Sequence, residues 1–203
     1  MKIHEFGPAP NARRVTIFLA EKGIEVERVH VNTRGGENLT DAFKALSPNG
    51  RIPVLELDDG TSICESVAIC RYFDELNPSK HSMFGNTPYE KAHIEMWNRI
   101  VELQGYVPAL QAFRNLTGIY KDRERCVESW GEESKRRLIE FLPTLDKQLD
   151  LNPYVAGEHF SIADITAYVL CSFMKHLDIE VTASQPHLFE WYERMILRAS
   201  TQV

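Results

Sequence analysis

The sequence predicts two domains, an α/β domain followed by an all-helical domain. Up to residue 77, strand-like and helix-like segments alternate in the order β-α-β-α-β-β-α, which is typical of a sheet covered by helices. From about residue 87 onward, no segment has a convincing strand pattern. The polar stretch PSKHSMFGN at 78–86 is typical of a linker. We therefore expect domains at residues 1–78 and 87–203.

The elements of the first domain follow from periodicity and turn chemistry. KIHEF predicts a short strand, and residues 12–22 carry apolar side chains at helical spacing before a stop at Gly23. The remaining elements are predicted in the same way: a strand at 26–32, a short helix at 39–46, a hairpin at 52–63 and a helix that starts at ESVAIC and ends at Asn77-Pro78.

A capping box opens the helical domain. Thr87 suits the cap, Pro88 suits the first helical position, and Glu90 lies three residues after the cap. The helix is long, and we expect Pro108 to kink it. Further helices are predicted over about 122–149, 161–176 and 186–198.

Composition and charge exclude several classes of function. The chain has 203 residues and a net charge of −6, which argues against nucleic acid or an anionic membrane as a partner. No apolar run approaches the roughly 20 residues of a membrane span. The first residues, MKIHEFGPAP, lack the apolar stretch of a signal peptide. We therefore expect a cytoplasmic protein.

Cysteines and histidines give no sign of a disulfide framework or a metal site. The four cysteines are widely spaced, without a C-x-x-C pair, which predicts reduced and mostly buried thiols. The seven histidines lack paired ligand spacing such as H-x-x-x-H. We expect no metal.

The segment NGRIPVLELDDGTSICESVAICRYF has the most specific chemistry. At the start of a predicted strand, Pro53 either takes the cis form, which suits pairing of Ile52 with an extended peptide, or lies on an edge strand in the trans form. Glu65-Ser66 falls where strand gives way to helix, and a helix N-terminus readily holds a carboxylate. With Ser66 as a donor and Glu65 as an acceptor from an ammonium group, this pair suits an amino-acid head group. The alternative is a plain N-cap pair.

These residues, in this order, resemble the glutathione transferase superfamily. The resemblance rests on the I-P-V-L strand, the E-S-V-A-I-C-R-Y helix start, the motif HFSIADITAY and the last helix, PHLFEWYERMILRAS. In HFSIADITAY, Ser161 and Asp164 form an S-x-x-D capping box, to which we assign a structural role worth about 1 kcal/mol. The resemblance covers essentially the whole chain. It implies a thioredoxin-like N-terminal α/β domain followed by an all-α helical domain.

The resemblance also implies a glutathione site. Ile52, beside a cis Pro53, would pair its backbone with the cysteinyl unit. Glu65 and Ser66 would hold the γ-glutamyl head group.

Two further residues are implied at the other end of glutathione. Asn38 stands where many relatives have a His near the glycine carboxylate, and it departs from that pattern. Arg51 either reaches the same carboxylate or remains a solvated surface charge.

The turn GPAPNARRV at residues 7–15 contains no Ser, Thr, Cys, Tyr or His. The resemblance explains this composition, because the nucleophile would be the thiol of glutathione, and the turn would only have to stabilise a thiolate with donors and helix potential. The turn looks most like bacterial members with T-P-N or S-P-N, and Ala9 replaces their hydroxyl residue. Asn11 is therefore the predicted catalytic residue, with a helix N-cap as its alternative.

The implied function is a glutathione transferase, with glutathione as the co-substrate and a small electrophile as the second substrate. The helical domain would supply the electrophile pocket, and Trp97, Tyr106 and Phe113 would serve either as substrate contacts or as core. The resemblance also implies detoxification and a homodimer through residues 90–104.

Two other functions remain open. One is a non-catalytic, transferase-like binding or regulatory protein. The other is glutathione-dependent reduction of disulfides or peroxides, although Ala9 replaces the hydroxyl residue of the T-P-N relatives that reduce disulfides. The absence of C-P-x-C and S-S-C patterns disfavours glutaredoxin-like and maleylacetoacetate isomerase functions.

Overall fold

The structure is a computed structural model that describes residues 1–78 and 82–203, so part of the predicted linker lies outside the described residues. Two compact units divide the chain. The first comprises Met1–Lys80 together with Ala199–Val203, and the second comprises His81–Arg198. No helix in the described part of the chain is long and apolar enough to cross a membrane.

The first unit is a four-stranded mixed sheet with three helices, in the predicted order. Its elements are β1 (Lys2–Glu5), α1 (Pro10–Lys22), β2 (Glu27–His30), α2 (Asp41–Leu46), β3 (Val54–Glu56), β4 (Ser62–Cys64) and α3 (Ser66–Leu76). The strands lie in the order β2-β1-β3-β4. Strand β1 runs parallel to β2 and antiparallel to β3, and β3 runs antiparallel to β4. The predicted α/β class of this unit is confirmed.

Both faces of this sheet are covered. Phe43 of α2 packs against Val31 and Val54. Because successive strand residues point to opposite faces, Leu55 points away from α2, and it is completely buried. Helices α1 and α3 pack against each other.

A buried ion pair joins the last turns of α1 and α3. The Nζ atom of Lys22 lies 2.7 Å from Oδ1 of Asp74, and the two side chains are only 9% and 5% exposed. Just beyond Lys22, Gly23 ends α1 in a left-handed conformation, with a φ angle of 63°.

Residues 199–203, which we call the C-terminal strap, return to the first unit and contact α1 along its length. The guanidinium of Arg13 in the first half of α1 donates to the Thr201 carbonyl at 2.7 Å. The hydroxyl of Ser200 donates to the carboxylate of Glu21 near the other end of the helix. The strap therefore holds α1 at two points.

The second unit is helical, as predicted. Its elements are α4 (Pro88–Val101), a π-helical segment (Glu102–Tyr106), α5 (Val107–Thr117), α6 (Glu128–Leu151), α7 (Ile162–Met174) and α8 (Pro186–Ile196). The predicted capping box of α4 is present: the Thr87 side chain accepts from the N–H of Glu90, and the Glu90 side chain accepts from the N–H of Thr87.

Pro108 interrupts the long helix, and the interruption takes the form of the π-helical segment rather than a simple kink. The N–H of Val107 donates to the carbonyl of Glu102, five residues back. This wider turn comes directly before the proline, whose ring and missing N–H disfavour a regular helix. Gly105 lies inside the segment, where an added Cβ would come within 2.8 Å of Phe141. The segment is therefore fixed by tight packing.

Helix α6 begins at Glu128 rather than near residue 122. The guanidinium of Arg114 lies over the Tyr120 ring, 5.0 Å from its centroid. The Asn115 Oδ1 accepts the N–H of Val127 at 2.8 Å. These contacts hold residues 118–127, which precede α6, against the end of α5 in a turn conformation.

The second predicted capping box also forms, and Asp164 does more than cap. Its carboxylate accepts the backbone N–H and the hydroxyl of Ser161, both at 3.0 Å. It also accepts the N–H of Val155 at 2.9 Å and the indole N–H of Trp191 at 3.1 Å. Burial raises the pKa of Asp164 to about 6. One buried carboxylate therefore joins α7, α8 and the segment before α7.

We expect Asp164→Ala to lower the free energy of unfolding by about 3 kcal/mol or more, because several buried donors lose their acceptor. Ser161→Ala removes only the cap hydroxyl and should cost about 1 kcal/mol. Urea unfolding followed by circular dichroism compares the two variants. Equal losses would show that Asp164 acts only as a cap.

Candidate functional site

A cleft of about 160 Å³ in the first unit brings together six of the seven predicted site residues. Its lining consists of Asn11, Asn49, Arg51, Ile52, Pro53, Cys64, Glu65 and Ser66. The residues come from the start of α1, the loop before β3, the end of β4 and the start of α3. Residues distant in sequence thus meet in one place.

Glu65 lies at the N-cap position of α3, but its side chain makes no capping hydrogen bond. Its φ angle of 69° is rare for a non-glycine residue, and such strain is concentrated at functional sites. The Oε1 atom lies 3.5 Å from Nδ2 of Asn49, at the rim of the cleft. The plain N-cap alternative therefore does not hold for Glu65. The first N–H groups of α3 have no side-chain cap, which suits them to hold an anion.

Ser66 is positioned by an arginine that the sequence analysis missed. Nη1 of Arg14 donates to Oγ of Ser66 at 2.8 Å, and Arg14 is only 1% exposed. Because Oγ accepts this bond, the Ser66 hydroxyl hydrogen can be donated to a ligand. The buried guanidinium also adds positive potential near the start of α3. The only signal in the sequence is that Arg14 lies three residues before Ile17, on the apolar face of the helix.

The loop before β3 is held by hydrogen bonds of its own. The N–H of Arg51 donates to Oγ of Ser47 at 3.0 Å and to Oδ1 of Asn49 at 3.1 Å. The peptide bond between Ile52 and Pro53 is cis, the form that the resemblance implied. The backbone N–H and carbonyl of Ile52 have no hydrogen-bond partner among residues 1–78 and 82–203. They are suited to pairing with an extended ligand.

Asn38 is the predicted residue that does not line the cleft. It lies in a 3₁₀ turn, Glu37–Leu39, and its Nδ2 donates to the Gly50 carbonyl at 2.7 Å. Its contribution is to hold the loop that precedes Arg51. Asn49, which sequence reasoning missed, lines the cleft and contacts Glu65 and the N–H of Arg51. Its only sequence signal is the Asn-Gly turn at residues 49–50.

Asn11 is the second residue of α1, and the N-cap is Ala9, which makes no side-chain capping bond. The alternative of Asn11 as an N-cap is therefore wrong. Helix α1 starts earlier than predicted because Pro10 suits the first helical position. The first turn contains no acidic residue, so the positive end of the helix dipole faces the cleft without compensation.

The two buried thiols of the protein do not supply a nucleophile of lowered pKa. All four cysteines are free, and Cys70 and Cys171 are buried. Burial raises the pKa of Cys171 to about 12 and raises that of Cys70 further. Both thiols are therefore protonated at neutral pH.

Of the three aromatic residues named from the sequence, Tyr106 belongs to the core. It is 2% exposed, next to the close packing of Gly105. Phe113 is half-buried and meets the ring of Phe173, with 5.2 Å between centroids. Trp97 is half-buried on α4.

The cleft therefore combines two helix N-termini, one carboxylate that can accept from an ammonium group, and a backbone edge. Such a set suits a small extended molecule that carries both an amino-acid head group and a second anionic group. It also offers donors and positive potential near Asn11, where a ligand thiolate would be stabilised.

Family models and similar proteins of known sequence all point to the same family. Residues 9–76 match the family model described as "Glutathione S-transferase, N-terminal domain", and residues 116–199 match "Glutathione S-transferase, C-terminal domain". The chain is 35% identical to Glutathione S-transferase 2 of Saccharomyces cerevisiae, over 100% of this chain and 88% of that protein. It is 32% identical to Glutathione S-transferase F10 of Arabidopsis thaliana, over 94% and 89% of the two chains.

Solved structures give the same result. A glutathione S-transferase of class Gtt2 from Vibrio parahaemolyticus is 50% identical, with a TM-score of 0.89 over 100% of this chain and 96% of the other. Gtt2 from Saccharomyces cerevisiae is 34% identical, with a TM-score of 0.94 over 100% and 99% of the two chains.

We expect Gly50→Ala to destabilise the loop that precedes Arg51. Gly50 has a φ angle of 62°, and an added Cβ would lie 2.9 Å from the Asn38 carbonyl oxygen. The cost should be at least about 1 kcal/mol of unfolding free energy. Thermal unfolding measures it, with Gly7→Ala as the control, since an added Cβ at Gly7 meets nothing within 4 Å. Equal stability of the two variants would contradict this account of the loop.

Proposed function

Because the chain belongs to the glutathione transferase superfamily, we propose that it adds the thiolate of glutathione to small electrophilic substrates. The observation that carries this proposal is the single cleft in which the start of α1, with Asn11, meets the start of α3, with Glu65 and Ser66. We further propose that the enzyme acts in detoxification in the cytoplasm, where its four free cysteines would remain reduced.

The γ-glutamyl head group is proposed to bind at the start of α3. Its carboxylate accepts from the Ser66 hydroxyl and from the first N–H groups of the helix, while its ammonium donates to Glu65. Arg14 acts as a positioning residue, because its bond to Oγ of Ser66 at 2.8 Å directs the hydroxyl hydrogen outward. The absence of a side-chain cap on α3 supports this arrangement.

The rest of glutathione is proposed to follow the loop before β3. The cysteinyl unit pairs with the backbone of Ile52, beside Pro53. Arg51 binds the glycine carboxylate, and Asn38 supports it from behind by holding Gly50. Arg51 is exposed, so this contact should contribute less than the head-group contacts.

Thiolate stabilisation is the chemical step that the chain must supply. An ordinary thiol has a pKa of about 8.5, and a decrease of about two units, roughly 2.7 kcal/mol, makes it mainly ionised at neutral pH. One side-chain donor from Asn11 and the positive end of α1 are of this order. No general base is needed, because the thiol loses its proton to water before it attacks the electrophile.

Two alternative functions differ from the proposed one. A reductase would use glutathione against disulfides or peroxides, and a binding or regulatory protein would not catalyse a reaction. Retention on immobilised glutathione, followed by an assay with a generic aryl halide, separates the cases. Passage through the resin, with no thermal shift by glutathione, would favour the non-catalytic binding protein. Retention with turnover of disulfides or peroxides but not of the halide would favour the reductase.

We expect Glu65→Ala and Ser66→Ala each to weaken glutathione binding by about 2–3 kcal/mol, because a charged head group loses its partner. Isothermal titration calorimetry measures the affinity, and melting curves check the fold. The matched control is Glu75→Ala, since Glu75 is exposed near the other end of α3. Unchanged affinity in both variants would remove the site assignment.

We expect Asn11→Ala to raise the pKa of bound glutathione and to lower turnover at neutral pH by about tenfold to a hundredfold, or about 1.5–3 kcal/mol. The loss should shrink at high pH, where the thiol ionises unaided. Ala9→Ser restores the hydroxyl of related turns and should increase activity. A pH–rate profile measures these effects.

Two controls accompany the Asn11 series. Asn11→Asp places a negative charge beside the sulfur and should suppress ionisation of the thiol. Melting temperatures should change little, because Asn11 does not cap α1. A thiol pKa that Asn11→Ala leaves unchanged would mean that the backbone N–H groups of α1 alone stabilise the thiolate.

A homodimer is proposed through the outer face of α4, the π-helical segment and the first turn of α5. Four large apolar side chains there are 38–73% exposed and recur at helical spacing: Tyr89, Met96, Leu103 and Val107. A stripe of this size favours burial against a second surface. In an isologous dimer, the same stripe on both chains would cover itself.

We expect light scattering to report about twice the chain mass of 23.3 kDa. Met96→Glu with Leu103→Glu should produce monomers, because the buried stripe would then carry unpaired charges. Leu197→Glu is the control, since Leu197 is 84% exposed but lies outside the stripe. A wild-type monomer at micromolar concentration would contradict the dimer.

A further inference from the structure

The second unit contains a groove of its own, between the last turn of α6 and helix α8. Its volume is about 770 Å³, against about 160 Å³ for the cleft of the first unit. This is within the range of roughly 300–1,000 Å³ that is typical of small-molecule sites. None of the residues assigned to glutathione lines it.

The groove offers apolar surface to a ligand. Leu151 is 69% exposed and Phe189 is 37% exposed, and the two side chains face the same groove. Trp191 also borders the groove, but it is only 1% exposed and its indole N–H is bound to Asp164, so the exposed apolar ring is that of Phe189. Aromatic rings accept an organic body, or a cation on the ring face.

Among the residues that line the groove, negatively charged side chains outnumber positively charged ones. Three carboxylates line it, those of Asp150, Glu190 and Glu193, together with the guanidinium of Arg194. That guanidinium already donates to a backbone carbonyl at 2.6 Å. His187 lies 3.3 Å from Asp150. Within the described residues, Glu190 and Glu193 have no hydrogen-bond or ion-pair partner.

The two helix ends at the groove add to this field. Helix α6 has 24 residues and ends at Leu151 with no basic residue in its last turn, so no charged side chain of the helix offsets its negative dipole end, and the neutral amide of Asn152 caps only the Gln148 carbonyl. The positive end of helix α8 also lies at the groove, but N–H groups of its first turn already have an acceptor. Oδ1 of Asp146 accepts the N–H groups of His187 at 3.0 Å and of Leu188 at 2.9 Å. The net field therefore favours a cation.

We propose that this groove is a second binding site, for a small organic cation with an aromatic or aliphatic body. The body packs on Phe189 and Leu151, and the positive charge faces Glu190, Glu193 and the end of α6. A metal ion does not fit this description, because much of the offered surface is apolar. The site is independent of the glutathione cleft and of the proposed transferase activity.

The test uses tetraphenylphosphonium and tetraphenylborate, two ions of the same shape and opposite charge. Binding to the full chain is measured by equilibrium dialysis in the presence of saturating S-hexylglutathione, so that the glutathione cleft is occupied. We expect saturable binding of one phosphonium per chain and at least tenfold weaker binding of the borate.

The variant Glu190→Gln with Glu193→Gln should weaken phosphonium binding at least tenfold, and Phe189→Ala should weaken it at least threefold. The matched control is Glu128→Gln with Glu132→Gln, two exposed carboxylates of α6 outside the groove, with the same change of net charge. The control should bind within twofold of the wild type. Melting curves verify that all variants are folded.

Phosphonium binding that is equal in the groove variant and in the control would overturn the proposal. Equal binding of the two ions by the wild type would overturn it too. So would a wild type that binds hexalysine but not the phosphonium, because the groove would then take a basic peptide. Glutathione affinity is measured separately, so a failure here is distinguishable from a failure of the transferase assignment.

Discussion

The starts of α1 and α3 meet at the cleft without side-chain caps, and the other contacts of the two helices compensate for this. A side-chain cap stabilises a helix by about 1 kcal/mol, and neither helix has one. The stabilising contacts lie elsewhere. Lys22 and Asp74 pair between the last turns of the two helices, and Arg14 bonds to Ser66 between their first turns. The two open helix ends are thus kept in a fixed relation to each other.

Three helix starts of the second unit, those of α4, α7 and α8, are satisfied by side chains instead. Thr87 caps α4, Asp164 completes the box at α7, and Asp146 accepts two N–H groups at α8. These carboxylates and hydroxyls remove the anion-binding capacity that the starts of α1 and α3 retain. Helix α6 differs from these three: its start has no side-chain cap, and its negative end borders the groove.

Local patterns predicted most of the fold, because element order and capping boxes depend on spacing within a few residues. The position of Glu65 and Ser66 at the start of α3 was predictable for the same reason. Arg14 was not, since a charged residue on a helix normally faces solvent, and its partner lies 52 residues away. The π-helical segment also escaped prediction: Pro108 signalled an interruption, but its form depends on the contact between Gly105 and Phe141 across helices.

The C-terminal strap has a consequence for the order in which the protein folds. Arg13 and its partner Thr201 are 188 residues apart in sequence, although both belong to the first unit. During synthesis α1 leaves the ribosome early, while the strap appears only after the whole helical unit has been made. Contacts at such separation form late, because the entropy of closing the loop has to be overcome first. The second unit is in effect an insertion within the first, and a fragment that ends at residue 78 keeps the contacts between α1 and α3 but lacks those between α1 and the strap.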